Sequence, residues 1–465
     1  MNAFKFRDGK VKYSMQYNKD DAFNGTEVPS AASVNGTIPH PANSSFPTGV
    51  SFRRVGNHLL TNTGVTNSNE VDPDTLRPIS MPFHYDDDLG GPYVHPFLFS
   101  LPRTYTHTTT KNRYVGPTHA QVVDDVVLHH FVRHVQDTEG KQTYVVTSIE
   151  PGTTKRKVLT SIEAPKASSW SGKASFQHMT LATPEYYIML ESSCYYPSNA
   201  TKIGVVDWHG FKANELIKTH VRVIDRKTGT SKIWPLSTRL FSIHTINAYV
   251  KKSSNFFHLK YLQQTHRYVE DNVLVVDTIK LLPGFLPCSM AFTKTSMKDM
   301  VENWSSDAKG KKGSYVVRIR VPLDREGEKL TPVRVGDVTG MEFPTIRYDE
   351  LNGKKYEHVY ACMMKDPETS GYYDSILKLN VQTGESSVWP SEDSGNVVYP
   401  NEPVFVPDPQ GQNEDDGVIL TDVIYTDDNS TYLVVLNAST MEEIGRAGPT
   451  PHIVPHGFHG RYLVW

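Results

Sequence analysis

Short runs of strand-forming residues recur along the whole chain, and this pattern constrains the fold more than any other feature. Tyr, Val, Ile, Thr and Phe cluster in these runs, and groups of Gly, Pro, Asn and Asp interrupt them. Residues 4–17 predict a hairpin around the turn dipeptide Asp8-Gly9, and residues 417–436 predict another. Further strands are predicted over 142–162, 185–191, 314–321 and 375–389. The pattern therefore predicts an all-β fold of the sandwich, barrel or propeller type.

Helical patterns are rare in this chain. Residues 296–304 give the clearest one, with apolar side chains at helical spacing behind the N-cap Ser296, and we interpret it as a local packing element. No period of about 40–45 residues with a repeated dipeptide signature is visible, so the common propeller repeats are not predicted. The stretches 24–50 and 79–112 are predicted to be long loops over one face of a single domain, residues 1–465.

Composition excludes several classes of protein. The formal net charge of −3 and the pI near 6.7 offer no basic surface, so no nucleic-acid partner is expected. No run of about 18 apolar residues could span a membrane, and the N-terminus resembles neither a signal nor a transit peptide. The three cysteines are not a disulfide framework, so we expect a reducing compartment and a cytoplasmic location.

The chain contains 19 histidines, and residue spacing alone does not single out a metal site among them. Consecutive residues of a strand point to opposite faces, so His129 and His130 cannot bind the same metal ion. His130 and His134 share a face but lie about 13 Å apart, too far for one metal ion. A strand with solvated histidines is predicted there. The zinc-protease helix motif, the serine-hydrolase elbow and the Gly-rich dinucleotide fingerprint are all absent.

Six short motifs, spread over most of the chain, carry a resemblance to one family. Three lie towards the end, namely Glu342-Phe343-Pro344, Asn401-Glu402-Pro403 and Phe458-His459-Gly460. Three come earlier, namely Thr118-His119-Ala120, His178 ahead of Pro184-Glu185-Tyr186-Tyr187, and Phe241-Ser242-Ile243-His244 ahead of Asn247-Ala248-Tyr249. Together they closely resemble the carotenoid cleavage oxygenase family, and within it the animal β-carotene oxygenases and the retinoid isomerohydrolase.

The resemblance implies a seven-bladed β-propeller, capped by loops and short helices, with Fe(II) on its axis. It implies four iron ligands, His119, His178, His244 and His459. It also implies that Glu342 and Glu402 hold the second ring nitrogens of His244 and His459, which fixes the tautomer and orientation of each ring. Neutral imidazoles suit a ferrous ion, and four of them leave two octahedral positions open. The implied partners are O2 and a carotenoid or apocarotenoid, which is cleaved at a double bond into two carbonyl products.

Two alternatives stay open, an isomerohydrolase of retinyl esters and a non-catalytic carotenoid-binding paralogue. The family's third orienting glutamate, expected near residues 62–64 as the partner of His178, is missing from Thr61-Asn62-Thr63-Gly64. Residues 251–270 resemble an insertion, and the chain begins inside the family pattern, which implies that part of an N-terminal blade is lacking. The resemblance also leaves open peripheral membrane contact through apolar loops around a tunnel mouth.

Overall fold

Antiparallel β-strands make up nearly all of the regular structure among the described residues. The computed structural model describes residues 2–7, 10–15, 51–55, 58–62, 68–80, 112–117, 119–135, 142–153, 156–164, 174–192, 219–251, 272–282, 313–370, 372–390, 397–451, 454 and 459–463. The first strands are β1 (Asn2–Arg7), β2 (Lys10–Met15), β3 (Ser51–Val55), β4 (His58–Asn62), β5 (Ser68–Val71), β6 (Pro78–Ser80), β7 (Asn112–Val115), β8 (Gln121–Val123), β9 (Val126–Val135), β10 (Gln142–Ile149) and β11 (Arg156–Glu163).

The remaining strands cover the second part of the chain. They are β12 (Leu181–Ala182), β13 (Tyr186–Glu191), β14 (His220–Asp225), β15 (Ser231–Pro235), β16 (Thr245–Lys251), β17 (Val273–Leu281), β18 (Ser314–Pro322), β19 (Val333–Arg334), β20 (Met341–Thr345), β21 (His358–Met363), β22 (Ser375–Asn380), β23 (Ser386–Trp389), β24 (Val398–Pro400), β25 (Val404–Pro407), β26 (Gly417–Tyr425), β27 (Ser430–Asn437) and β28 (Glu443–Ala447). One short helix, α1, covers Tyr348–Leu351.

The described strands form seven antiparallel sheets, and each sheet is a run of consecutive strands. In chain order they are β1–β2, β3–β6, β7–β11, β12–β15, β16–β19, β20–β23 and β24–β28, called here the first to the seventh sheet. The all-β prediction is confirmed, as are the hairpins predicted at both ends of the chain and the strands predicted between them. The predicted helix over 296–304 and most of the two predicted long loops lie outside the described residues.

Consecutive sheets bury the faces between them. β17 is buried at every position except Lys280, and its sequence is accordingly an almost continuous apolar run. Fully buried side chains line the contacts from the third sheet to the seventh, among them Tyr144, Tyr187, Ile188, Trp234, Val276, Ile319, Val359, Leu377 and Ile419. Burying one side chain of this size stabilises the fold by about 1.5–3 kcal/mol, so these faces hold neighbouring sheets together.

Four hairpins close with the same five-residue turn, which begins with Asp or Asn and has Thr at its fourth position. They are Asp72–Leu76, Asp225–Gly229, Asn380–Gly384 and Asn437–Met441. In each, the Oδ1 of the first residue accepts the backbone N–H of the third and fourth residues at 2.6–3.0 Å. The fifth residue has φ between +58° and +83°. These turns join the last two strands of the second, fourth, sixth and seventh sheets, so one local structure recurs at equivalent places.

The first strands of neighbouring sheets converge. β12, β16 and β20 each lie at the edge of their own sheet, and β8 pairs only with β9 at the edge of the third. Across sheets, β8 contacts β12, β12 contacts β16 and β16 contacts β20. Residues on these strands, or just ahead of them, are therefore brought together from distant parts of the chain.

Candidate metal centre

Four histidines meet where the first strands converge. His119 lies two residues before β8, His178 lies three before β12 and His244 immediately precedes β16, whereas His459 belongs to the last described segment. One ring nitrogen from each lies within 4.8 Å of the others. Two nitrogens on opposite sides of one ion, each at about 2.1 Å, would be about 4.2 Å apart, so only a small adjustment would let the four share an ion.

Backbone contacts hold the histidine segments in place. The N–H of His119 donates to the carbonyl of His178 at 3.2 Å, and His119 and Met179 form an isolated parallel bridge. Ser242 Oγ donates to the carbonyl of His244 at 2.8 Å. The imidazoles consequently pack edge to face, with ring centroids 4.4–5.4 Å apart.

Two glutamates bond the outer nitrogens of two of these rings. Nδ1 of His244 lies 2.6 Å from Oε2 of Glu342 on β20, and Nδ1 of His459 lies 2.9 Å from Oε1 of Glu402 between β24 and β25. Glu402 also accepts the backbone N–H of Gly460 at 2.8 Å. The inner nitrogen of His244, Nε2, is buried and has no hydrogen-bond partner among the described residues. This pattern, one nitrogen held by a carboxylate and the other left available, is typical of a metal-ligating histidine.

Burial favours the neutral form of two of these histidines. Burial, followed by repulsion from His459, lowers the pKa of His244 to about 3, although Glu402 acts against this change. Burial, followed by repulsion from His244 and His459, also holds the pKa of His178 well below its ordinary value. A neutral imidazole presents a lone pair, which is the form that binds a metal ion.

Glu342 responds to burial in the opposite direction. Burial raises the pKa of Glu342 to about 8, although the N–H of Phe343 and the nearby His459 act against this rise. The proton shared by His244 and Glu342 is therefore stabilised on the carboxyl group. A cation beside His244 would favour the carboxylate, because opposite charge lowers the pKa of an acid.

Phe343 completes the centre, and sequence reasoning assigned it no role. Its ring centroid lies 5.2 Å from that of His244 and 5.6 Å from that of His459. Its backbone N–H donates to Oε2 of Glu342 at 2.6 Å, and its φ is +55°. A residue that precedes proline normally adopts an extended conformation, so local sequence rules do not predict this geometry.

The prediction of a strand with solvated histidines is right about the strand and wrong about His130. His129 and His130 lie on β9 as expected, but His130 is only 1% exposed. Its Nδ1 lies 2.9 Å from the hydroxyl of Tyr187, and Nε2 of His129 lies 2.9 Å from the carbonyl of Pro117. The fourth sheet packs against this side of β9, which a reading of the strand alone could not predict.

Two departures from the family pattern lie largely outside the described residues. Of positions 62–64, where the third glutamate is expected, only Asn62 is described, and of the apparent insertion over 251–270 only Lys251 is described. Both interpretations stay predictions.

A cavity of about 200 Å³ opens onto the centre. His119, His244, His459 and Glu402 lie in its wall, together with Phe405.

Comparison with known proteins assigns the family. The family model described as "Retinal pigment epithelial membrane protein" matches residues 1–463, so the chain belongs to this family and the resemblance is confirmed. The mitochondrial carotenoid-cleaving dioxygenase of Mustela putorius furo is 42% identical over 138 residues, which are 30% of this chain and 24% of that protein. The Homo sapiens protein of the same name is 29% identical over 333 residues, 64% of this chain and 52% of that protein.

The fold is shared with a solved enzyme structure. Cobalt-substituted apocarotenoid oxygenase of Synechocystis superposes with a TM-score of 0.62 at 18% identity, covering 98% of this chain and 85% of that chain. The chain spans about half the length of the human relative and about a quarter of the Mustela one.

Proposed function

We propose that this protein is a non-haem Fe(II) dioxygenase that cleaves a conjugated double bond of a carotenoid or apocarotenoid. The observation that carries the proposal is the group of four converging histidines, His119, His178, His244 and His459, with Glu342 and Glu402 on the outer nitrogens of two of them. Imidazole nitrogens are ligands that iron accepts, and a set of four leaves positions for further ligands. Relatives named carotenoid-cleaving dioxygenases support the substrate class.

The protein residues contribute position and charge. An Fe(II) ion held by the four imidazoles would supply the activation of O2. Glu342 and Glu402 would orient the rings of His244 and His459, because each carboxylate would accept a hydrogen bond from Nδ1–H. Their negative charge would balance part of the added positive charge. Phe343 packs against both rings and shields the bond between His244 and Glu342 from water.

The reaction is balanced by its two substrates alone. One O2 adds across one C=C bond. The σ and π bonds between the two carbons break together with the O–O bond, and each carbon becomes a carbonyl with one oxygen atom. No external reductant is needed, because the two electron pairs of the C=C bond supply the four electrons that reduce O2.

The architecture that fits this function is a single propeller domain over residues 1–465. We assign the seven sheets to its seven blades, because each is a run of consecutive antiparallel strands and the edge strands β8, β12, β16 and β20 of the third to the sixth sheets meet one another. The substrate dissolves in lipid, so we propose a cytoplasmic protein that contacts membranes peripherally. Among the described residues, no helix combines the length and the apolar character of a membrane span.

Product analysis tests the proposal. The purified chain, loaded anaerobically with Fe(II), is mixed with β-carotene or an apocarotenal in detergent micelles under ¹⁸O₂, and products are separated by chromatography with mass detection. We expect two carbonyl products with one ¹⁸O each, and we expect His244→Ala to abolish both product formation and metal retention. Intact substrate with a fully loaded protein would contradict the proposal.

The same assay separates the two alternatives. Retinyl ester converted to an isomerised alcohol, with carotenoid left intact, would identify an isomerohydrolase. Stoichiometric pigment binding by a chain that retains no iron would identify a non-catalytic binding protein.

A further inference from the structure

The two adjacent histidines of β9 face the segments that carry the first two members of the metal centre. We propose that His129 and His130 are positioning residues, which hold the segments of His119 and His178 so that their ring nitrogens meet. This inference rests on the four-histidine metal site proposed above.

His129 braces the segment that leads to His119. Its Nε2 lies 2.9 Å from the carbonyl oxygen of Pro117, two residues before His119. The backbone approaches closely at this place, because a Cβ added to Gly116 would lie 2.9 Å from Cε1 of His129. The ring of His129 also packs edge to face on Phe131 at 4.6 Å between centroids. The imidazole is thus fixed on both sides, and it fixes the chain just ahead of the ligand.

His130 braces the segment of His178 through a buried chain of hydrogen bonds. Its Nδ1 lies 2.9 Å from the hydroxyl of Tyr187, and that hydroxyl lies 2.9 Å from Oγ1 of Thr180, two residues after His178. The carbonyl of Thr180 in turn accepts the hydroxyl of Thr245 at 3.0 Å, next to His244. His130, Tyr187 and Thr180 are at most 1% exposed, so water does not compete for these bonds.

The two braces act on one unit. His119 and His178 are joined by the bond from the N–H of His119 to the carbonyl of His178. A shift of either segment therefore moves both ring nitrogens. Because the side chains of His129 and His130 leave opposite faces of β9, one strand controls both ligand segments. Glu342 and Glu402 orient the rings of the other two histidines, so the centre is positioned from two directions.

Metal affinity of matched variants tests this inference. Tyr187→Phe removes the hydroxyl that joins His130 to Thr180, and His129→Leu removes the bond to Pro117. Tyr360→Phe is the control, because Tyr360 is equally buried and its hydroxyl donates at 2.9 Å to the carbonyl of Ala438, which lies in none of the four ligand segments. Co(II) affinity is measured by titration against a competing chelator, the visible Co(II) spectrum reports ligand geometry, and thermal unfolding of the metal-free chains reports stability.

We expect Tyr187→Phe and His129→Leu to weaken Co(II) binding about tenfold, as loss of outer partners of metal ligands commonly does, and to alter the Co(II) spectrum. Tyr360→Phe should lower stability to a similar degree and leave Co(II) affinity unchanged. His129→Gln, which keeps an N–H donor, should restore most of the affinity.

Three outcomes would overturn the inference. Wild-type affinity in both brace variants would show that the segments need no bracing. An equal loss of affinity in Tyr360→Phe would show a general effect of stability. A wild-type chain that takes up no Co(II) would instead remove the proposed function, and this inference with it.

Discussion

Single residues at the metal centre adopt conformations that the sequence does not predict. Phe343 has φ of +55°, although it carries a side chain and precedes a proline. A left-handed conformation costs a non-glycine residue about 1–2 kcal/mol. The conformation aims the N–H of Phe343 at Glu342 while its ring covers His244. The strain therefore serves the geometry of the centre, as is common at functional sites.

Substitution of Phe343 separates the backbone from the ring. Phe343→Ala and Phe343→Gly both remove the ring, but only glycine relieves the positive φ. We expect the glycine variant to be more stable than the alanine variant by about 1 kcal/mol, measured by urea unfolding without metal. Alanine as stable as glycine would contradict the left-handed backbone at this position.

His130 makes stability depend on pH. Burial lowers the pKa of His130 to about 3, below the value of 6.5 that an unfolded chain retains. On acidification the unfolded state therefore binds this proton first. The contribution of neutral His130 is complete above pH 6.5 and is lost as the pH falls towards 3, by at most about 1.4 kcal/mol per pH unit.

The variant His130→Gln tests this dependence, because it has no titrating ring. We expect it to be less stable than the wild type at pH 7.5, and we expect the difference to shrink by about 2 kcal/mol at pH 5. Urea unfolding of both proteins at the two pH values measures the difference. A gap that stays constant would mean that His130 is protonated in the folded state or accessible to water.

At the scale of the element, hairpins were predictable and their repetition was not. Strand-forming runs and turn dipeptides predicted the hairpins at 4–17 and 417–436, because both signals are local. The search for a repeated dipeptide missed the repeat, since the recurring feature is a pair of hydrogen bonds that either Asp or Asn can accept. The fifth turn position is Gly in two turns but Leu76 and Met441 in the others, so no fixed letter marks it.

The turn that begins at Asn380 gives a test at this scale. Asn380→Ala removes the oxygen that accepts the N–H groups of Gln382 and Thr383. We expect a loss of about 1–2 kcal/mol in the free energy of unfolding, similar to the loss of a helix cap. Asn380→Asp keeps that oxygen and should fall within about 0.5 kcal/mol of the wild type. Thermal or urea unfolding measures both variants. Equal losses of stability would argue against these two hydrogen bonds.

At the scale of the whole molecule, ion pairs with little exposure lie in the fourth to the seventh sheets, two of them within one sheet and one between the sixth and the seventh. Arg222 with Glu191, Arg318 with Asp277, and Lys378 with Asp415 pair at 2.7–2.8 Å. Asp277 also accepts the hydroxyl of Tyr356 at 2.9 Å, which links the fifth and sixth sheets. Removing one partner of such a pair leaves an uncompensated buried charge.

Asp277→Asn is expected to lower the free energy of unfolding by about 3–5 kcal/mol, because Arg318 loses its bidentate partner while it stays buried. Glu328→Gln is the matched control, since Glu328 pairs with the exposed Arg325 and should cost less than about 1 kcal/mol. Denaturant midpoints measure both. Similar losses in the two variants would mean that Arg318 finds water or another acceptor.

The metal centre also belongs to this largest scale, which is why local patterns could not predict it. The spacing of the histidines left the site undefined, and the ligand set came from a family resemblance. The structure brings His119, His178, His244 and His459 within reach of one another because edge strands of the third, fourth and fifth sheets meet and the last described segment joins them. His129, His130 and Phe343 escaped prediction since their roles depend on neighbours far away in the chain.

The scattered origin of the four imidazoles has a consequence for biosynthesis. Because His459 emerges from the ribosome long after His119, an unfinished polypeptide cannot assemble the full set of donors. Cation uptake would therefore report that synthesis has passed His459. An ion bound there would join separate regions of the chain. Its release would therefore accompany cooperative unfolding of these regions rather than fraying of one of them.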